Sequence, residues 1–247
     1  MNTKVITAAI LGTIAGLIGG FMLANGLNRA EITELKSQAD QRSAAPGATG
    51  TTADGMNISP EEIKAKVAEA DASPQNFAFQ KGLGTALYRY GTLKRDAEVV
   101  VEAARLLERA TALDPKDYDV IVALGNSYFD IGYFKKDSAN LKKSREVYAR
   151  ALAIKPTDAD VISDLALSYY LDEPADLDRS VAEFGKALKA NPKHERSLQY
   201  LTQTYMRQSN FEDASKTLEQ LKAANPKNET IDSLTKMIAA REVPTVK

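Results

Sequence analysis

Few residues in this chain could do covalent chemistry. His194 is the single histidine of 247 residues, and there is no cysteine. Disulfides, thiolate nucleophiles and cysteine-ligated metals are thereby excluded. A nucleophile relayed through histidine would have to be built around the turn Pro192-Lys193-His194-Glu195, which no nucleophile motif accompanies. His194 is expected to be a solvated turn residue. Gly82-Leu83-Gly84 falls inside a helix-periodic run and lacks the Gly-Lys-Ser/Thr ending of a phosphate loop, so helix packing accounts for it. Asp114, Asp117 and Asp119 lack the ligand spacing and closing Glu of a calcium loop and are better explained as helix caps. Of the ten tyrosines several fall at periodic core positions in the repeats, so they are not read as a platform for stacking bases. Lys and Arg total 32 against 33 Asp and Glu, with no basic cluster to displace counterions from phosphates, so nucleic acid is set aside. The expectation is a protein that is no enzyme and needs no cofactor and no metal.

Two kinds of segment surround these residues. Val5 to Ala24 reads VITAAILGTIAGLIGGFMLA, and no charge occurs from residue 5 to residue 28. As a helix this run is about 30 Å long, enough to cross the hydrocarbon core of a bilayer. Residues 1–28 are therefore expected to be a single-pass membrane anchor. Ala24-Asn25-Gly26 also offers a small-residue cleavage site, which leaves a removed signal peptide as the alternative. Gly12, Gly16 and Gly20 continue a four-residue stripe with Ala8 and Ala24, where a second membrane helix could approach and form a homodimer. Ordinary membrane-helix composition is the competing explanation. Arg29, Lys36 and Arg42 favour a cytoplasmic C-terminal side, whereas the short basic N-region before an apolar run favours an outward signal anchor. The outward, extracytoplasmic side is the preferred reading. Residues 29–58 hold a juxtamembrane helix and then a small, polar, aperiodic tether, Ser43 to Asn57. Ser59-Pro60-Glu61-Glu62 marks a helix start, predicting a short helix over 60–71 that acts as a lid on the domain of residues 59–247.

That domain is periodic. RATALDP, RALAIKP, KALKANP and EQLKAANP end in Pro115, Pro156, Pro192 and Pro226, spaced by 41, 36 and 34 residues. Ahead of each stand Leu83-Gly84 with Leu87, Leu124-Gly125 with Tyr128, Leu165-Ala166 with Tyr169, and Leu201-Thr202 with Tyr205. The second halves carry Ala103, Leu107 and Ala110; Ser144, Tyr148 and Ala151; Ser180, Phe184 and Ala187; Ala214, Leu218 and Leu221. This pattern resembles the tetratricopeptide repeat, a helix-turn-helix unit of about 34 residues. The resemblance implies an all-α solenoid with repeats at about 75–115, 116–156, 157–192 and 193–226, closed by a capping helix over 228–241. Extra residues near Thr92 to Val99 and Phe134 to Leu141 are expected to lengthen both arms of a hairpin without rotating its buried face.

In that family the concave face is lined by first helices. The resemblance places on it Lys81, Thr85 and Tyr88; Val122, Asn126 and Phe129; Ser163, Leu167 and Tyr170; Gln199, Gln203 and Met206. These sets suit an extended or helical segment of a protein or peptide client, although some members could instead pack against the neighbouring first helix. The family's chaperone-binding members clamp a terminal carboxylate with Lys and Asn residues. Lys81 and Asn126 match that pattern; Thr85, Ser163 and Leu167 do not. The implied function is a membrane-anchored scaffold contacting a lipid bilayer through residues 5–24, with a self-assembling structural oligomer as the alternative.

Overall fold

The computed structural model describes residues 58–245. The expected membrane anchor, glycine stripe, juxtamembrane helix and tether fall outside the described residues. Among those described, ten helices and no strand are present, and no helix is long and apolar enough to cross a membrane. They fall into two compact units that divide after Ser73.

In the first unit, α1 runs Pro60–Asp71. Its start is a reciprocal capping box: the Ser59 hydroxyl accepts from the Glu62 amide at 3.2 Å, and the Glu62 carboxylate accepts from the Ser59 amide at 2.9 Å. Pro60 fills the first helical position, where a missing N–H costs nothing.

The second unit is four helical hairpins and a closing helix. The first helices are α2 (Phe77–Lys94), α4 (Tyr118–Lys135), α6 (Ala159–Leu171) and α8 (Glu195–Arg207). Their partners are α3 (Ala97–Leu113), α5 (Ser138–Ile154), α7 (Leu177–Ala190) and α9 (Phe211–Ala224), and α10 (Ile231–Ala239) ends the stack. Each helix from α2 to α9 begins on a residue whose side chain accepts from a backbone N–H: Asn76, Asp96, Asp117, Asp137, Asp158, Asp176, His194 and Asn210. Each second helix ends on a residue that precedes proline. Asp114, Lys155, Asn191 and Asn225 take φ of −133°, −125°, −138° and −149°, because the following ring forbids the helical conformation.

Packing within a hairpin turns on a small residue of the first helix. A Cβ on Gly84 would come within 2.9 Å of the Leu107 side chain, and one on Gly125 within 2.7 Å of the Tyr148 ring. Leu107, Tyr148, Phe184 and Leu218 are buried at the matching register of the four second helices. The first two hairpins have arms of 18 and 17 residues, against 13 and 14 in the last two. The extra residues thus add about one turn to each arm. Gly91 and Gly132 sit in that added turn, where a Cβ would meet the Val100 and Leu141 backbone nitrogens at 3.0 and 2.9 Å. At the far end, Leu234 of α10 joins Leu198, Met206, Ala214, Leu218 and Leu221 in one cluster, flanked by Ile231, Met237 and Ile238. No hairpin buries its apolar face alone, and α10 covers the last one.

Candidate functional site

Successive first helices touch one another along the stack, while each second helix packs mainly against its own hairpin and the next first helix. The first helices therefore line the inner face of the curve. Polar contacts tie each of them to the start of the next repeat. Lys81 pairs with Asp117 at 2.6 Å, the Tyr118 hydroxyl donates to Asp158 at 2.5 Å, and His194 Nε2 lies 2.9 Å from Asp160. Asn225 and Asn228 donate to Glu195 at 2.7 and 3.0 Å. Asp117, Asp158 and His194 are also caps, so one side chain both starts a helix and fixes it to its neighbour.

His194 is therefore not the solvated turn residue that the sequence leads one to expect. Its Nδ1 caps α8 at the Ser197 amide and hydroxyl, its Nε2 meets Asp160, and its side chain is 12% exposed. Both ring nitrogens are occupied, which explains the histidine as a structural joint. Asp114 and Asp117 accept from backbone amides of Lys116 and Val120, as capping requires. Gly82 and Gly84 lie within α2.

The twelve residues assigned to the inner line separate into two groups. Lys81, Thr85, Val122, Asn126, Gln199 and Gln203 are partly exposed. Tyr88, Phe129, Ser163, Leu167, Tyr170 and Met206 are buried, and Tyr170 realises the neighbour-packing alternative. Its hydroxyl donates to Gln203 of α8 at 3.3 Å, and the Arg207 guanidinium lies over its ring at 4.6 Å. The two residues that match a carboxylate clamp are both engaged. Lys81 is held by Asp117, and Asn126 Oδ1 accepts from the Tyr148 hydroxyl at 2.8 Å. Burial works to raise the Asp117 carboxyl, but the Lys81 ammonium and the capped amides outweigh it and hold the group below its ordinary range.

At the middle of the inner face, side chains from all four first helices converge. The Thr92 hydroxyl of α2 donates to Asp130 of α4 at 2.8 Å, and the Tyr88 hydroxyl bonds the same carboxylate. Asp164 of α6 pairs with Arg196 of α8 at 2.5 Å. Burial, with the nearby Asp164 charge, pushes Asp130 from 3.8 to about 6 despite the hydroxyls that favour its anion. Burial likewise raises Asp164 against the pull of Arg196, and it raises the Tyr148 and Tyr88 phenols. Sequence reasoning passed over Asp130, Asp164 and Arg196 because they stand beside the i, i+4, i+7 line. A signal for two of them existed: Asp130 is the only charged residue from 120 to 134, and Asp164 the only one from 161 to 171.

This arrangement can bind and orient a ligand. Among the described residues no group of His, Asp and Glu is placed to hold a metal ion. An open depression of about 550 Å³ on the second-helix side, between α3 and α5, is lined by Glu108, Tyr128, Lys143, Glu146 and Arg150 among others. Its charged groups are of both signs.

Residues 125–158 and 174–238 each match a family model described as tetratricopeptide repeat. Solved structures share the fold. YrrB, described as a tetratricopeptide protein with an unusual peptide-binding site, is 16% identical with a TM-score of 0.55, covering 71% of this chain and 82% of its own. MamA from Desulfovibrio magneticus RS-1, from residue 41 to its end, is 18% identical with a TM-score of 0.54, covering 82% and 98%. TTC0263, a thermophilic protein of the same repeat class from Thermus thermophilus, is 16% identical with a TM-score of 0.51, covering 73% and 88%. No curated protein matches the chain.

Proposed function

We propose, from the tetratricopeptide repeats that the chain carries, that this protein is a non-catalytic scaffold whose inner face binds an extended segment of another protein. The observation that carries this reading is the line of partly exposed polar side chains along the groove, Thr85, Asn126, Gln199 and Gln203, of which Asn126 and Gln203 also accept from the Tyr148 and Tyr170 hydroxyls. Asn126 gives its carbonyl oxygen to Tyr148 and keeps its amide N–H donors for a peptide backbone that would otherwise lose hydrogen bonds to water. The peptide-binding site attributed to YrrB supports a groove of this kind on the same fold. The scaffold is tethered to a bilayer through residues 5–24, with its repeats on the extracytoplasmic side.

A photo-crosslinking residue placed at Thr85 or Gln203 of the full chain, in cells, is expected to capture a heterologous protein, and one at Ala149 on exposed α5 is not. Asn126→Ala is expected to reduce that capture with helical content unchanged. Capture from Ala149 alone would move the site to the outer face. Links only to a second copy of the chain would favour self-assembly, the reading that the Gly12, Gly16 and Gly20 stripe supports.

A further inference from the structure

We infer that the middle of the inner groove receives the cationic side chain of the bound segment, an arginine or lysine, seated on Asp130. This rests on the groove being the binding face and names the chemistry of what it takes. The cluster comes from every first helix: Tyr88 and Thr92 of α2, Asp130 of α4, Asp164 of α6 and Arg196 of α8. Tyr148 of α5 is close enough for the two carboxylates to raise its phenol.

The charges do not balance. Two carboxylates share one guanidinium, and Arg196 is committed to Asp164 at 2.5 Å. Asp130 is hydrogen-bonded by neutral hydroxyls, those of Thr92 and Tyr88, and Arg196 favours its anion only through space. A carboxylate withdrawn from water is ordinarily paired with a cation, and a charge-assisted bond to one is stronger than a bond to a hydroxyl. A second, separate polar deficit lies on the same helix as Asp164, one residue earlier: the Ser163 hydroxyl is fully buried and has no hydrogen-bond partner, where buried polar groups are almost always satisfied. An acidic ligand fits poorly here. The cations that would receive it are already taken, Lys81 by Asp117 and Arg196 by Asp164. A guanidinium offers five donors in a planar fork, enough to meet Asp130 and a neighbouring acceptor together.

The position of Asp130 on the pH scale adds a signature. Burial, with Asp164 nearby, holds its carboxyl at about 6, so it is mostly neutral near pH 5 and ionised near pH 7.5. Binding of a cation should therefore tighten as pH rises through that interval, by up to about tenfold if only the ionised form binds.

The probes are fluorescent decapeptide pools with the central residue fixed as Arg, Lys, Gln, Leu or Glu and the flanks randomised, titrated into the full chain by anisotropy. At pH 7.5 the Arg and Lys pools are expected to bind about tenfold more tightly than the Gln and Glu pools. The preference should shrink toward pH 5. Asp130→Asn, which keeps the shape and the hydroxyl partners, is expected to lose both the preference and its pH dependence while retaining helical content and melting no lower than wild type. Should that variant fail to fold, the wild-type pH series still decides. Binding of Gln, Leu or Glu pools as tightly as Arg pools, or a preference that survives Asp130→Asn, overturns this inference and leaves the groove reading standing. Binding of no pool overturns both.

Discussion

Asp130 does not serve the fold at neutral pH. Its carboxyl titrates at about 6 in the folded protein and near 3.8 when solvated, so between those values the native state holds more protons than the unfolded one. Stability then falls as pH rises from about 4 to about 6 and stays lower above that. A shift of two units corresponds to about 3 kcal/mol at most. Asp130 keeps some access to solvent, and screening there trims the cost to about 1 kcal/mol. Asp130→Asn is therefore expected to unfold at a higher urea concentration than wild type at pH 7.5. The two proteins should converge near pH 4. Chemical denaturation at several pH values checks this, and equal midpoints across the range would place Asp130 in ordinary contact with water. Asp117 works in the other direction, since Lys81 lowers its carboxyl and the stability it contributes is lost only as pH falls. A residue that weakens the fold where a neighbour strengthens it is where a binding function is to be sought. Its lone charge in an apolar stretch of α4 was legible in the sequence. Its partners were not, because Tyr88 and Thr92 reach it from another repeat.

At the scale of helices most of the architecture could be read from residue type and spacing, since it depends on local rules. Each of the four prolines forces the preceding residue out of the helix, and Asp or Asn begins most of the helices where a backbone N–H needs an acceptor. The added turn of the first two hairpins followed from the count of extra residues. The exposure of individual inner-line positions did not, because it depends on how closely neighbouring first helices approach, which is a property of the stack. Glycines show the difference between local and packed roles. Gly82 of α2 is exposed, and a Cβ there would meet nothing within 4 Å; on Gly91 of the same helix it would meet Val100 Cγ2 at 2.7 Å and the Val100 nitrogen at 3.0 Å. Gly82→Ala is expected to stabilise the protein by about 0.5–1 kcal/mol through helix propensity. Gly91→Ala should cost about 1–3 kcal/mol, since backbone cannot yield as a flexible side chain can. Thermal melts of the two variants should move in opposite directions. Movement in the same direction would mean that the added turn is loosely packed and carries no constraint of its own.

Over the whole molecule, stability in a stack of this kind is a sum of hairpins and the interfaces between neighbours, so damage should stay near where it is made. The last hairpin depends on α10: Leu234 completes the cluster of Leu198, Met206, Leu218 and Leu221, with Ile231, Met237 and Ile238 packed on it. A chain ending at Asn225 would leave those side chains facing water, a loss of about 1.5–3 kcal/mol for each large residue uncovered. Its α8 and α9 amides are expected to exchange hydrogen much faster than in wild type. Those of α2 and α3, three hairpins away, should keep most of their protection. A chain starting at Asn57 is the complementary case. The core clusters of the repeats are built from residues beyond it, so that chain should be soluble, strongly helical and unchanged in melting temperature. Hydrogen exchange read hairpin by hairpin separates the outcomes. Loss of protection spread evenly over all four hairpins after removal of α10 would show one cooperative unit in place of a chain of neighbours. An unfolded or aggregated product from the chain starting at Asn57 would show that the first residues belong to the fold.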